Sequence, residues 1–138
     1  MTLNGQIIGQ AERATRTLLE RQLRSTGLRF EQWVAVNQLQ AGVADRGQLV
    51  GRLVGGLKID DEAAQDAVDG VIALGLVAGE DDRLTLTPAG AERFGMVLGQ
   101  ISAITERLYG DVPPADLEVA GRVLTLVTER ADAELAAS

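Results

Sequence analysis

Apolar side chains recur at helical spacing over most of the chain. Between Asn4 and Arg24, the residues Ile7, Ala11, Ala14 and Leu18 follow at intervals of four, three and four, with Ile8 and Leu19 widening the stripe. The spacing predicts an amphipathic helix over 4–24, ended by Ser25, Thr26 and Gly27. A second helix is predicted over 30–40, with Phe30, Trp33, Val34, Val36 and Leu39 on its apolar side, and a short turn around Gly42 follows at 41–44. Asp45, three residues before Gln48, is an acidic variant of a capping box and starts a short third helix containing Leu49, Leu53 and Val54. Gly55 and Gly56 are expected to stop it.

Either Asp60 or Asp61 can cap a fourth helix that runs to about Leu74, with Ala64, Ala67, Val68, Val71 and Leu74 as its inner face and Gly75 as its stop. In residues 75–90 the period changes. Two short apolar runs flank an acidic turn at Glu80 to Asp82, and Leu84 and Leu86 alternate with Arg83, Thr85 and Thr87 as in a strand. A small antiparallel hairpin is predicted there. Thr87 followed by Pro88 reads as the cap and first residue of a fifth helix, reaching about Leu108 with Phe94, Val97, Leu98, Ile101 and Ile104 along one side. After a hinge at Asp111 to Pro114, the residues Leu117, Ala120, Leu124, Val127 and Ala131 carry a last helix to about Leu135. The expected order is four helices, a hairpin and two helices, a mainly α fold.

Composition narrows the chemistry. At 138 residues and 46% hydrophobic side chains the chain fits one domain with a real core, so a single domain over 1–138 is expected. It holds no cysteine and no histidine, which removes disulfides, thiol redox sensing, zinc sites and imidazole catalysis. No cofactor and no enzymatic activity are expected. The charged residues of the first helix leave no apolar signal core, and no stretch approaches the roughly 18 residues of a membrane span, so a soluble protein of the cytoplasm without membrane association is expected.

Charge is unevenly placed. The net charge is −7; residues 1–43 hold five basic and three acidic side chains, residues 44–88 four and nine, and residues 89–138 four and eight. The middle segment, at −5, is the most acidic.

Three short helices followed at once by a hairpin are the skeleton of a winged helix-turn-helix, whose third helix enters the DNA major groove while the hairpin flanks it. Here that head spans 30–88. One small head cannot cover the long apolar stripes of 4–24 and 89–136, so these are expected to be dimerisation helices that bury each other and a second chain.

The run GLVAGEDDRLTLTPAG resembles the hairpin and the LT-x-x-G helix start of the MarR (multiple antibiotic resistance regulator) family. FEQWVAVNQL is similar to that family's second helix, and VDGVIALGLV to the end of its recognition helix. The resemblance covers nearly the whole chain in the right order. It implies a homodimeric transcription regulator on double-stranded DNA, binding a pseudo-palindromic operator, usually a repressor released by a small-molecule effector.

Carried onto this sequence, the groove-facing positions fall near Glu62, Ala63, Gln65, Asp66 and Asp69. Gln65 suits bidentate pairing with adenine, and Glu62 or Asp66 can accept from cytosine. Arg83 at the hairpin tip is placed to enter the minor groove, or else to pair with Asp81 or Asp82; Arg46, Arg52 and Lys58 are candidates for phosphates. Trp33 and Asn37, one turn apart, line a candidate ligand pocket, or Trp33 is core. The acidic cluster at 60–69 reads as a metal site or, on a helix, as a capped start with a solvated face. This chain departs from the family where Glu62, Ala63 and Asp66 replace the usual serine, threonine and arginine, and where Glu80, Asp81 and Asp82 replace a longer basic wing. The competing function is therefore a winged-helix module for protein or ligand binding with weak or no DNA affinity.

Overall fold

A computed structural model describes residues 1–137. Its elements are α1 (Gly5–Arg24), α2 (Phe30–Gln40), α3 (Arg46–Leu57), α4 (Asp61–Ala73), β1 (Val77–Glu80), β2 (Arg83–Leu86), α5 (Pro88–Tyr109) and α6 (Pro114–Ala137). This is the mainly α arrangement with one hairpin that the periodicity predicts. Two compact units divide the chain, residues 1–102 and residues 103–138.

In the first unit, each helix start has a local cause. The Asn4 side chain accepts from the Ile7 amide at 2.9 Å and opens α1. The Gln32 side chain folds back to accept from the Arg29 amide at 2.9 Å at the start of α2. Asp45 caps α3 through Gln48 N at 2.9 Å, and Asp60 rather than Asp61 caps α4 through Ala63 N at 2.8 Å.

The third helix departs from expectation at its end. Gly55 and Gly56 do not stop it; the helix continues to Leu57, and the turn out is made by Lys58 in the left-handed conformation at φ 56°. Glycine lowers helix stability by only about 1 kcal/mol per residue, and the partly buried Leu57 and Ile59 packing against the core outweigh that cost. Gly75, by contrast, adopts φ 77° directly after α4 and ends it as expected.

The core forms where α2, α3 and α4 meet under the hairpin. Ala35, Val36, Leu49, Leu53, Ala64, Ala67, Val68 and Val71 are fully or nearly fully buried. The hairpin closes over them with Val77 facing Leu86 and Gly79 facing Leu84, so that Val77 and Leu84 point inward. From α5, Val97 is buried, with Phe94 and Ile101 half-buried beside it.

Residues 44–46, expected as the end of a turn and a helix start, also extend the sheet. Asp45 forms a bridge to Arg83, Leu84 N donates to Ala44 O at 2.8 Å and Arg46 N to Asp82 O at 2.8 Å. A one-residue bridge carries no alternating pattern, which is why periodicity missed it.

Thr87 joins the end of α4 to the start of α5. Its hydroxyl donates to Gly75 O at 2.7 Å and accepts from Gly90 N at 3.0 Å, while its amide donates to Leu76 O at 3.1 Å. A Cβ on Gly90 would run into that same Leu76 carbonyl oxygen. The LT-x-x-G spacing thus has a packing cause: the hydroxyl caps the helix and the glycine lets it pass the Leu76 backbone.

Along α1, the predicted stripe is only partly covered. Ala11 and Ala14 are exposed, Ile7 and Leu18 are half-buried, and only Leu23 is buried within the helix. In the second unit, α6 starts on Pro114 at its first helical position and has no buried residue. No helix among the described residues is long and apolar enough to cross a membrane.

Candidate nucleic-acid interface

Helix α4 turns Ala64, Ala67, Val68 and Val71 into the core, which puts Glu62, Asp66 and Asp69 in solvent on the opposite side. Ala63 and Gln65 are half-buried at the edge of that face. The side predicted to read bases is therefore the outward side of α4. Beside it stands the hairpin, whose Glu80 and Arg83 pair across the turn residues Asp81 and Asp82; Asp81 takes φ 56°, a conformation aspartate tolerates in tight turns.

The cations are deployed differently from the sequence expectation. Arg46 crosses from the first turn of α3 to α4. Its Nε and Nη2 donate to Gln65 Oε1 at 3.0 and 2.9 Å, and Nη2 also reaches Asp69 Oδ1 at 2.7 Å. Only 24% of the Arg46 side chain is exposed, against 65% for Asp69. The guanidinium is thus held on α4, with its backbone amide on the hairpin turn. Arg52 is exposed and donates to Gln38 Oε1 at 3.1 Å, and Lys58 Nζ donates to Gly55 O at 2.6 Å across the end of α3.

Arg83 is exposed and forms no ion pair with Asp81, Asp82 or any other described residue. Of the four basic residues singled out in the head, it is the one whose charge is directed at solvent without a side-chain or carbonyl partner. Three groups that the sequence leaves 19 and 23 residues apart, Arg46 with Gln65 and Arg46 with Asp69, are brought into one cluster. No period or motif links them, so their bonding had no signal in the chain.

The two ligand-pocket candidates separate. Trp33 is 6% exposed and stacks on Phe94 with centroids 5.4 Å apart and planes 16° from parallel, whereas Asn37 lies in solvent. Neither borders the cleft of about 320 Å³ formed by Thr17, Glu20 and Arg24 of α1 with Leu28 and Arg29 before α2. Phe30 also borders it and carries the Arg16 guanidinium 4.8 Å above its ring. Among the described residues, no group of three or more aspartate, glutamate, histidine or cysteine side chains is arranged to hold a metal ion. The acids of 60–69 serve as the helix cap, a partner for Arg46 and a solvated face.

No protein-family profile matches this sequence, and no curated protein matches it either. Solved structures do. A MarR family transcriptional regulator from Silicibacter pomeroyi superposes with a TM-score of 0.80 at 18% identity, over 94% of this chain and 90% of that one. A Mycobacterium tuberculosis MarR family protein, solved in complex with DNA, gives 0.72 at 16% identity over 92% and 98%. The reduced form of MarR from Escherichia coli gives 0.71 at 16% over 92% and 94%. The likeness runs nearly end to end on both sides, and with it the order of elements, the short wing and the Thr87–Gly90 helix start come together: the chain has the winged-helix fold of the MarR-family transcription regulators.

Proposed function

We propose that this protein is a homodimeric, sequence-specific DNA-binding transcription regulator that represses by occupying a pseudo-palindromic operator and is released by a small-molecule effector. It works in the cytoplasm and performs no catalysis. The observation that carries the reading is the way α3, α4 and the hairpin are pinned together at Arg46. Its amide bonds the hairpin turn and its guanidinium bonds α4, which presents a helix and a two-stranded ribbon as one preorganised surface. That a structural neighbour is solved in complex with DNA supports DNA as the partner.

In this reading Gln65, Glu62, Ala63 and Asp66 face the bases, Arg83 enters the minor groove, and Arg52 and Lys58 approach phosphates. Arg46 uses Nε and Nη2 on Gln65 and Asp69, which leaves only its Nη1 for a phosphate. An effector that reaches Trp33 has to part its stack with Phe94, and Asn37 is then the nearby polar group. Because Trp33 is the only tryptophan, a change in its fluorescence on adding an effector reports that event directly.

One observation favours a second reading, a winged-helix module for a protein or small-molecule partner. The face of α4 and the wing expose Glu62, Asp66, Asp69, Glu80, Asp81 and Asp82, and each carboxylate brought near a phosphate costs Coulomb energy. Selection of bound sequences from a random duplex pool at low salt separates the two. A regulator yields a two-fold repeat with half-sites about one helical turn apart and an affinity that falls as salt rises. A pool that returns no enriched sequence rejects the regulator and leaves the module.

A further inference from the structure

Gln65 is the one uncharged polar side chain among the groove-facing positions of α4, and in a free state its amide offers both an acceptor and a donor. Adenine uses both, because its amino group gives a proton to the carbonyl and its N7 takes one from the NH2. Here the carbonyl is already in use. Arg46 Nε and Nη2 both donate to Oε1, and since guanidinium carries donors only, the amide atom facing it has to be the oxygen. Two donors fill its two lone pairs. The same Nη2 also donates to Asp69 Oδ1, which ties the guanidinium to a second side chain of α4.

The amide nitrogen of Gln65 bonds to no described residue. No buried side-chain nitrogen or oxygen among the described residues lacks a partner, so that nitrogen reaches solvent. What α4 presents at position 65 is therefore a pair of N–H donors whose own carbonyl is already occupied.

We infer that Arg46 is a specificity-determining residue that acts through Gln65: by occupying its carbonyl, it makes Gln65 a donor-only reader that favours guanine or thymine over adenine and cytosine. Guanine presents N7 and O6 and thymine presents O4, all acceptors. Cytosine sets only an amino group against the exposed N–H donors; adenine still offers N7 but turns its amino group to the second donor, and a donor facing a donor loses a hydrogen bond at a desolvated contact. Arg46 positions and does not touch the base. The inference rests on the DNA-binding reading above.

The test is the base preference at the operator position contacted by residue 65, read by duplex selection for the parent protein, Arg46→Ala and Gln65→Glu, each checked for folding by circular dichroism. The parent is expected to favour guanine or thymine over adenine by roughly fivefold or more. Arg46→Ala frees the carbonyl and moves the preference to adenine. Gln65→Glu keeps and strengthens the bond to Arg46 but has no donor, so it loses the guanine or thymine preference and turns to cytosine; this variant stands even where Arg46→Ala fails to fold.

A purely structural Arg46 would lower affinity for every sequence without changing the preferred base. That outcome, or a parent that prefers adenine, overturns the inference and leaves DNA binding intact. A parent that enriches no sequence removes the regulator reading and this inference together.

Discussion

Single residues decide how the head is joined. Gly90 lies against the Leu76 carbonyl, which also accepts the Thr87 amide, so a methyl group there has to push two backbone segments apart. Gly90→Ala is expected to destabilise the protein by about 2 kcal/mol or more, although alanine is otherwise the better helix former. Urea unfolding of the variant checks this, and a midpoint at or above the parent's would show that the contact yields. The position was legible in the sequence as part of LT-x-x-G, but only the close approach explains why glycine stands there. Arg83 is a different case, named from its place at the hairpin tip and left by the fold without an ion pair. Arg83→Ala is expected to weaken DNA binding roughly tenfold on all sequences and to reduce the slope of affinity against salt by about one ion. A titration at several salt concentrations measures both, and an unchanged slope would place Arg83 off the DNA. Arg46 was the residue the sequence concealed. A candidate for phosphate by charge and position, it is committed by the fold to Gln65 and Asp69, a link that exists only once α3 and α4 are packed.

Elements were legible where their period was long and their ends were marked by side chains. The starts of α1, α3, α4 and α5 coincide with Asn4, Asp45, Asp60 and Thr87, because each cap is a bond formed within three residues of the chain. The end of α3 was not, since glycine signals a stop only when the backbone turns left-handed, and Gly55 and Gly56 stay helical. That helix carries four glycines in twelve residues, Gly47, Gly51, Gly55 and Gly56. A Cβ at Gly51 or Gly55 would meet nothing within 4 Å. Both positions therefore cost helix stability without serving packing. Gly51→Ala and Gly55→Ala are each expected to stabilise the protein by about 0.5–1 kcal/mol, nearly additively, as a rise in the thermal midpoint. A fall in the midpoint of the double variant would mean that these sites are crowded after all.

At the scale of the whole molecule, the apolar surface exceeds what one chain covers. Leu117, Leu124 and Val127 follow one line along α6 while Val119, Val123 and Leu126 follow the next; at 100° per residue the two lines span roughly half the helix. All six are more than a third exposed, and the sequence stripe of Leu117, Ala120, Leu124, Val127 and Ala131 is one side of this wider face. Glu118, Arg122, Thr125 and Glu129 occupy the other half, and Asp116, Arg130 and Glu134 bound the apolar face at its two ends, so its middle stretch is sided as an interface would be. In the dimer proposed above a second copy buries it by two-fold symmetry, and operator binding would then gain from two heads held on one duplex. Leu124→Glu combined with Val127→Glu puts two charges into that contact. None of the buried core residues of the first unit lies on α6, so the variant is expected to keep a cooperative thermal transition. Light scattering is expected to show the parent as a dimer and the variant as a monomer, with operator affinity lowered by about a hundredfold as bivalency is lost. Should the parent itself elute as a monomer at micromolar concentration, or the variant remain a dimer with full operator affinity, α6 is not the face that brings two heads together.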